Sequence, residues 1–194
     1  MSGTIVDCTT SKTSDAVSLY RRTMGRLAGG VAVILSGTRE APVGMTVNSL
    51  VSVSLNPLLL LFCARLHSAT AAAIARSEVF SVNILTEGQI RASVHFSGKH
   101  ADFDTADLQA RDEHIWMKDN AGTMLCRVER IHRAGDHDII IGRVDDVIAG
   151  SELPAPLIYH EGQYYSLGSA CALPERGDSR ALRLSVPDGY EGRP

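Results

Sequence analysis

The feature that most constrains the fold is a series of short apolar runs that come in pairs, each pair separated by a few turn-forming residues. MLCRVERIH and HDIIIGRVDDVIAG flank RAGD, and LIYH and QYYSL flank EG. Runs of this length joined by Gly-containing turns are typical of β-hairpins. The regular alternation of strands with helices that builds a parallel sheet is not seen in this sequence. We therefore predict a mainly β fold, a closed or nearly closed antiparallel barrel with three modest helices on its outside.

Other segments complete this interpretation. VAVILS, LLLLFCA and VFSVNIL are predicted strands, VGMTVNSLVSVSL is a long strand or a bent pair of strands, and 97–120 is a loop with some local structure. A first helix begins at Ser14 or Asp15 and ends at the glycine pair 29–30. Ser68 begins a second helix, ATAAAIARS, and a capping box of Thr86 with Gln89 begins a third that ends near residue 96.

Composition limits the possible classes of protein. With 194 residues, we expect one domain, 14–168, between a flexible tail 1–13 and a C-terminal tail or arm 169–194. The net charge of -3 comes without a basic patch, which argues against nucleic acid as a partner. The longest apolar run, 58–64, is far shorter than the roughly 20 residues of a membrane span. Because the N-terminus also has no secretory pattern, we expect a cytoplasmic protein with four unpaired thiols.

The stretch GMTVNSLVSVSLNP, residues 44–57, has an unusual polar face. Counting by twos places four valine and leucine side chains on one face, interrupted by Ser49, and hydroxyl and amide side chains on the other, interrupted by Leu50. The polar set contains no charge, although strands that face water usually carry Lys, Glu or Arg. A Ser- and Thr-rich solvent face and a surface for an uncharged polar ligand both fit this pattern.

Most familiar sites have no support in the sequence. There is no GxGxxG after a strand, no P-loop, no GxSxG and no zinc-like histidine spacing. Ser68 and Thr70 stand at the start of the alanine-rich helix, where free N–H groups and the helix dipole attract a phosphate, although a simple cap explains Ser68 as well. Together with the neutral strand, this helix start suggests a ligand with an uncharged heteroaromatic ring and a phosphate, which is the shape of a flavin nucleotide.

The order of the motifs resembles one family. MGRLAGGVAVI, GMTVNSLVSVSLNPLLLLFCA, FSVNIL, HFSGK, GDHDIIIGRV and GQYYSLG follow one another between about residues 22 and 168, as in the short-chain NAD(P)H:flavin reductases. These proteins are the small reductase components of two-component flavin-dependent monooxygenases. The resemblance implies an antiparallel split β-barrel of the Greek-key, FMN-binding type with a few short peripheral α-helices, and a homodimer. It also implies NADH-driven reduction of FAD or FMN, with NADPH possible, for a partner monooxygenase.

The resemblance also implies roles for individual residues. Along the flavin ring and past its pyrimidine edge it places six residues, all of them polar except Val53: Thr46, Asn48, Ser49, Ser52, Val53 and Ser54. Other positions lie near the flavin, its phosphate and the far wall and tail of the pocket: Cys63, Ala64, Ser68, Thr70, Phe96, Ser97 and Lys99. His137 in the GDH motif would contact the nicotinamide, and Tyr164 either approaches the site or fills the sheet.

Two other functions remain open on the sequence alone. A non-catalytic flavin carrier or sensor would keep the flavin contacts without a nicotinamide opening, and an oxidase would hold its FMN tightly and act on its own substrate. We expect no metal site and no acid–base pair, because hydride transfer depends mainly on stacking and distance.

Overall fold

The computed structural model describes residues 14–99, 101–150 and 155–168. It is a mainly β structure with three antiparallel sheets and three α-helices. The expectations for tails 1–13 and 169–194, and for Cys8 and Cys171, lie outside the described residues. Within the described part, no helix is long and apolar enough to cross a membrane.

The helices and strands follow the chain in a simple order. The helices are α1 (Ser14–Gly25), α2 (Ala69–Ser77) and α3 (Ile90–Phe96), with single 3-10 turns at Glu87–Gln89 and Thr105–Asp107. The strands are β1 (Gly29–Gly30), β2 (Ala32–Gly37), β3 (Pro42–Val47), β4 (Val51–Leu55), β5 (Leu58–Arg65), β6 (Val79–Ile84), β7 (Leu108–Arg111), β8 (His114–Met117), β9 (Gly122–Ala134), β10 (His137–Ala149), β11 (Leu157–His160) and β12 (Gln163–Ser166).

The main sheet has seven strands in the order β3-β2-β6-β9-β10-β5-β4. Its two edge strands, β3 and β4, are consecutive in the chain and are joined only by residues 48–50. Four Cα steps span at most about 15 Å, whereas the edges of a flat seven-stranded sheet lie about 29 Å apart. The sheet therefore curls until its two edges are close together.

Two clusters of buried side chains lie on opposite faces of this sheet. The inner cluster joins Phe62, Phe80 and Ile140 from three strands with Ala71 and Ile74 of α2. The outer cluster packs β2 against α3, β8 and β11. Ile74 is fully buried in the inner cluster, so α2 packs one face against the sheet and leaves its other face exposed.

Local sequence signals predicted most elements correctly. The hairpins β9–β10 and β11–β12, the Ser68 N-cap and the Thr86–Gln89 capping box are confirmed. Two predictions are wrong. α1 ends at Gly25, and the glycines at 29–30 form the short strand β1. The region 97–120 contains the hairpin β7–β8.

A buried hydrogen-bond network around Asn83 of β6 holds this hairpin on the sheet. The Asn83 Oδ1 accepts from the backbone N–H of Met117 at 2.8 Å, and its Nδ2 donates to the carbonyl of Val33 at 3.1 Å. The neighbouring Ser81 hydroxyl donates to the carbonyl of Ile115 at 2.6 Å. These bonds connect β8 to β2 and β6 across the outer cluster.

Replacing Asn83 with alanine is expected to destabilise the protein by about 2 to 4 kcal/mol, because the Met117 N–H and the Val33 carbonyl lose partners in a buried place. Urea unfolding of both proteins at one protein concentration measures this loss. Gln109→Ala, which removes an exposed amide from the same hairpin, is the control and should change stability by less than about 0.5 kcal/mol. Equal effects would contradict the role of the Asn83 network.

Candidate active site

A cleft of about 820 Å³ runs along β3. Its floor is β3 with the connection that follows it. One wall is the first turn of α2 with the end of β5, and the other is the C-terminal end of α3. His137, the first residue of β10, completes the lining.

The floor at Gly44 is shaped by close contact with an aromatic ring. A Cβ added to Gly44 would lie 2.6 Å from Phe96 Cδ1 and 2.7 Å from Leu35 Cδ2. The Phe96 ring therefore packs directly against the β3 backbone. A glycine is required here because no larger residue fits beneath the ring without displacing it.

A chain of hydrogen-bonding hydroxyl groups connects α3 to β3 on one side and to β12 on the other. The Thr46 hydroxyl donates to the Ser93 carbonyl at 2.6 Å, and the Ser93 and Tyr164 hydroxyls lie 2.8 Å apart. The Tyr164 ring in turn packs edge-on against Tyr159. These contacts separate the cleft from a smaller hollow of about 250 Å³, which Asn48 and Tyr164 both line.

At the other end of the floor, Ser49 connects the segment that follows β3 to strand β5. Its Oγ accepts the backbone N–H of Cys63 on β5 at 3.0 Å. The Cys63 side chain lines the cleft beside this bond. The side chain of the next residue, Ala64, points the opposite way into the inner cluster, as strand alternation requires.

The first turn of α2 supplies several hydrogen-bond donors to the cleft. Ser68 is the N-cap, and its Oγ accepts the N–H of Ala71 at 3.1 Å. The N–H groups of Ala69 and Thr70 have no partner inside the helix, because the first four N–H groups of any helix have none. Both residues line the cleft. With the positive end of the helix dipole, this turn favours an anion.

His137 is fixed by its neighbour in the β9–β10 turn. Its Nδ1 lies 2.8 Å from Asp136 Oδ1. The hydrogen bond and the charge of His137 lower the pKa of the Asp136 carboxyl, so this acid stays ionised at neutral pH. This hydrogen bond restrains the imidazole at the cleft that it lines.

The α3 wall carries a second oriented imidazole, that of His95. Its Nδ1 lies 2.7 Å from the Ala101 carbonyl, which only accepts, so Nδ1 carries the proton. The ring stacks on Phe103 and meets Phe96 edge-on. His95 therefore belongs to a rigid aromatic wall of the cleft.

The cleft is nearly neutral and contains no carboxylate among the described residues that line it. Its one permanent charge there is the guanidinium of Arg65, the last residue of β5. Neutral hydroxyl, amide and backbone groups provide the other polar contacts. The lining therefore suits a ligand that is largely uncharged and carries an anionic group.

The structure brings together many of the predicted site residues. Nine line the cleft: Thr46, Asn48, Ser49, Cys63, Ser68, Thr70, Phe96, Ser97 and His137. Lys99 and Tyr164 line the smaller hollow instead. Ala64 is buried in the inner cluster.

Ser52, Val53 and Ser54 are not brought to this cleft. β3 ends at Val47 and β4 begins at Val51, so the alternation counted across 44–57 does not continue through one strand. Ser52 and Ser54 line an apolar hollow beside Leu58 on the other edge of the sheet. The valines of this second strand, Val51 and Val53, are exposed.

Sequence reasoning missed Arg65 and His95. Arg65 had a usable signal, because it lies two residues after Cys63 on the same strand and so shares its face. His95 had none, since its position depends on contacts with Ala101 and Phe103 in the following loop.

Comparison with known proteins decides the family. The model of the flavin reductase like domain matches residues 24–168. The chain belongs to this family. The resemblance drawn from the motifs is thereby confirmed.

Individual members are similar over most of their length. The NADH-dependent FMN reductase AsuE2 of Streptomyces nodosus subsp. asukaensis is 35% identical over 158 residues, which cover 78% of this chain and 85% of the relative. The reductase subunit HsaB of a flavin-dependent monooxygenase from Mycobacterium tuberculosis is 33% identical, covering 75% of this chain and 79% of the relative. The structure of the NADH:FAD oxidoreductase SgcE6 of Streptomyces globisporus with NAD and FAD fragments superposes with a TM-score of 0.74 at 27% identity, covering 86% and 98% of the two chains.

The residues of the cleft fit a flavin nucleotide. An exposed Asn48 side chain and the neutral β3 edge match the uncharged polar rim of the ring system. The α2 N-terminus matches the phosphate. The absence of a lining carboxylate among the described residues avoids repulsion of that phosphate.

The two described cysteines should differ in reactivity. Burial, followed by the charge of Asp145, raises the pKa of the Cys126 thiol to about 12, so its thiolate fraction is about a thousandfold below that of an ordinary thiol. Cys63 is half-exposed in the cleft. In the native protein, iodoacetamide should alkylate Cys63 and spare Cys126, and saturating FMN should slow the Cys63 reaction, as peptide mass spectrometry would measure.

Unfolded protein provides the control for that experiment, because both thiols should then react at similar rates. Native labelling of Cys126 would contradict the inner cluster as described. Labelling of Cys63 that FMN leaves unchanged would place the flavin away from the end of β5.

Proposed function

We propose that this chain is an NADH-dependent flavin reductase that supplies reduced FMN or FAD to a partner monooxygenase. The observation that carries the proposal is the cleft on β3, which joins a neutral polar floor to a helix N-terminus suited to a phosphate. Family membership and the names of its relatives, an NADH-dependent FMN reductase and a monooxygenase reductase subunit, support it.

In this proposal the flavin ring lies along β3 and its phosphate lies at the first turn of α2. Asn48 contacts the polar edge of the ring, and the wall at the C-terminal end of α3, which carries Phe96, bounds the cleft on the other side. The Thr70 hydroxyl and the free N–H groups of the turn hold the phosphate. The bound nucleotides supply the chemistry, a hydride passing from the nicotinamide C4 to the flavin N5.

His137 positions the nicotinamide over the flavin. It lines the cleft two residues along β10 from Ile139, the residue that pairs with Cys63. Its hydrogen bond to Asp136 restricts the motion of the imidazole ring. A fixed imidazole at this place controls the stacking and distance on which hydride transfer depends.

We also infer that residues 14–168 form one domain, and that its curled sheet is a split β-barrel of the Greek-key type. The short connection between the edge strands and the inner cluster shared by six strands support this inference.

Stopped-flow reduction of FMN by NADH tests the function. The wild-type protein should oxidise NADH only when flavin is added, and His137→Ala should lower kcat/KM for NADH roughly tenfold, about 1.4 kcal/mol, with flavin affinity unchanged. A flavin titration of both proteins supplies the control.

Other outcomes identify the competing functions. Flavin binding without NADH oxidation would indicate a carrier or sensor. A protein that purifies yellow, retains FMN and does not need added flavin would indicate an oxidase. Unchanged reduction kinetics in His137→Ala would leave that residue a structural role in the turn.

We propose further that the protein is a homodimer formed through the β4 edge. Leu55, Val51 and Leu58 are 83%, 50% and 46% exposed, and Val147 of β10 beside them is 65% exposed. These side chains surround an apolar hollow of about 350 Å³. A continuous apolar surface of this kind is typical of an interface that a second copy covers.

Sedimentation at micromolar concentration tests the dimer. The wild-type protein should sediment at twice the chain mass of 20.8 kDa, and Leu55→Asp should shift it toward the monomer, because the interface would bury a charge. Ile90→Asp introduces the same charge at an exposed apolar residue elsewhere and should leave the dimer intact. A monomeric wild-type protein would contradict the proposal.

A further inference from the structure

Arg65 and His137 form a pair at one corner of the cleft. They are directly opposite each other in the antiparallel ladder of β5 and β10, and both line the cleft. Opposite residues in such a ladder project from the same face of the sheet, as do Arg65 and Cys63, two positions apart on β5. A guanidinium and an imidazole thus share the corner at which β5 meets the β9–β10 turn.

The backbone keeps this corner in place. The N–H of Leu66 donates to the Asp136 carbonyl at 3.1 Å, and the Arg65 carbonyl accepts the N–H of Ser68 at 3.3 Å. Arg65 is therefore tied on one side to the turn that carries His137 and on the other to the start of α2. Arg65 is exposed and lines the cleft, so its guanidinium is accessible to a ligand there.

The guanidinium is available for a ligand. No salt bridge joins Arg65 to a carboxylate in the described part of the chain, and its charge is only the smallest of the influences that lower the pKa of Asp136. Since it is the one permanent charge among the described lining residues, it decides where a second anion can bind in the cleft. An arginine binds phosphate oxygens through two parallel hydrogen bonds.

The flavin phosphate has sufficient donors without Arg65. The N–H groups of Ala69 and Thr70 and the Thr70 hydroxyl all lie at the first turn of α2, and the structure gives the Thr70 hydroxyl no hydrogen-bond partner among the described residues. A reduced pyridine dinucleotide brings two further phosphates, which need donors of their own. Arg65 lies directly beside His137, the residue that the proposed function places against the nicotinamide.

We propose that Arg65 binds the phosphate groups of the reduced pyridine dinucleotide and so positions its nicotinamide at His137. This proposal rests on the proposed function. Arg65 is then a specificity-determining residue: it selects a phosphorylated hydride donor over a simple dihydropyridine, whereas His137 contacts the nicotinamide of either one.

The test compares two reductants at saturating FMN. NADH carries phosphates, and 1-benzyl-1,4-dihydronicotinamide carries none. Arg65→Gln should raise KM for NADH by roughly tenfold to a hundredfold, the range for a hydrogen bond to a charged group. The same variant should reduce flavin with the benzyl compound as fast as the wild-type protein. The dependence of KM for NADH on salt concentration should also become weaker.

Two further variants make the result specific. Arg130→Gln removes an exposed arginine of β9 that lines none of the described clefts, and it should change neither reductant's kinetics. Thr70→Ala should weaken the binding of FMN and leave the binding of riboflavin nearly unchanged. Any change in its flavin reduction kinetics should be the same with NADH and with the benzyl compound. Arg65→Gln should bind FMN and riboflavin as the wild-type protein does.

Three results would overturn the proposal. Equal losses with NADH and the benzyl compound would show that Arg65 acts on the fold or on the nicotinamide ring. Weaker FMN binding with intact riboflavin binding would assign Arg65 to the flavin phosphate. Unchanged kinetics with both reductants would leave it a surface charge.

Failure of the proposed function can be recognised separately. If the wild-type protein oxidises no NADH at all, calorimetric titration with NAD⁺ still tests Arg65, because the phosphate contact does not require turnover. Binding to the wild-type protein that Arg65→Gln weakens roughly tenfold would then support the contact, and equal binding or no binding would reject it.

Discussion

The connection of three residues between β3 and β4 is the constraint on which the rest of the structure depends. Because it joins the two edges of the seven-stranded sheet, the sheet has to curl, and side chains from six strands then meet in the inner cluster. The same connection carries Asn48 and Ser49. The Ser49 hydroxyl binds the connection to β5 by accepting the N–H of Cys63. The cleft therefore lies at the seam of the sheet, where the backbone leaves one edge and reaches the other.

The parts of this structure that sequence could predict are those set by local chemistry. Ser68 caps α2 and Gln89 closes a capping box because each acts within one helical turn. The hairpins are predictable for a similar reason, since Gly135 and Gly162 adopt positive φ in turns that the apolar runs flank. Nine of the proposed site residues gathered in one cleft because motif order in the chain reflects the family's fold.

The parts that could not be predicted depend on contacts between distant segments. The hairpin β7–β8 has little pattern of its own and is held by Asn83, which lies 34 residues before its partner Met117 in the chain. The break after Val47 begins a new strand at the other edge of the sheet, so an alternation counted from Thr46 does not place Ser52 and Ser54. Lys99 and Tyr164 fall in a neighbouring hollow since the hydroxyl chain through Ser93 separates it from the main cleft.

The helix α2 has two roles that its position makes inseparable. Its first turn opens on the cleft at Ala69 and Thr70, while the side chains of Ala71 and Ile74 in the same helix are packed in the inner cluster. A ligand that binds the first turn therefore binds the folded core directly, and by mass action it draws the chain toward the native state in proportion to the logarithm of its free concentration. A reductase that releases its product flavin is then more stable while loaded than after release, so its resistance to unfolding follows the supply of flavin around it.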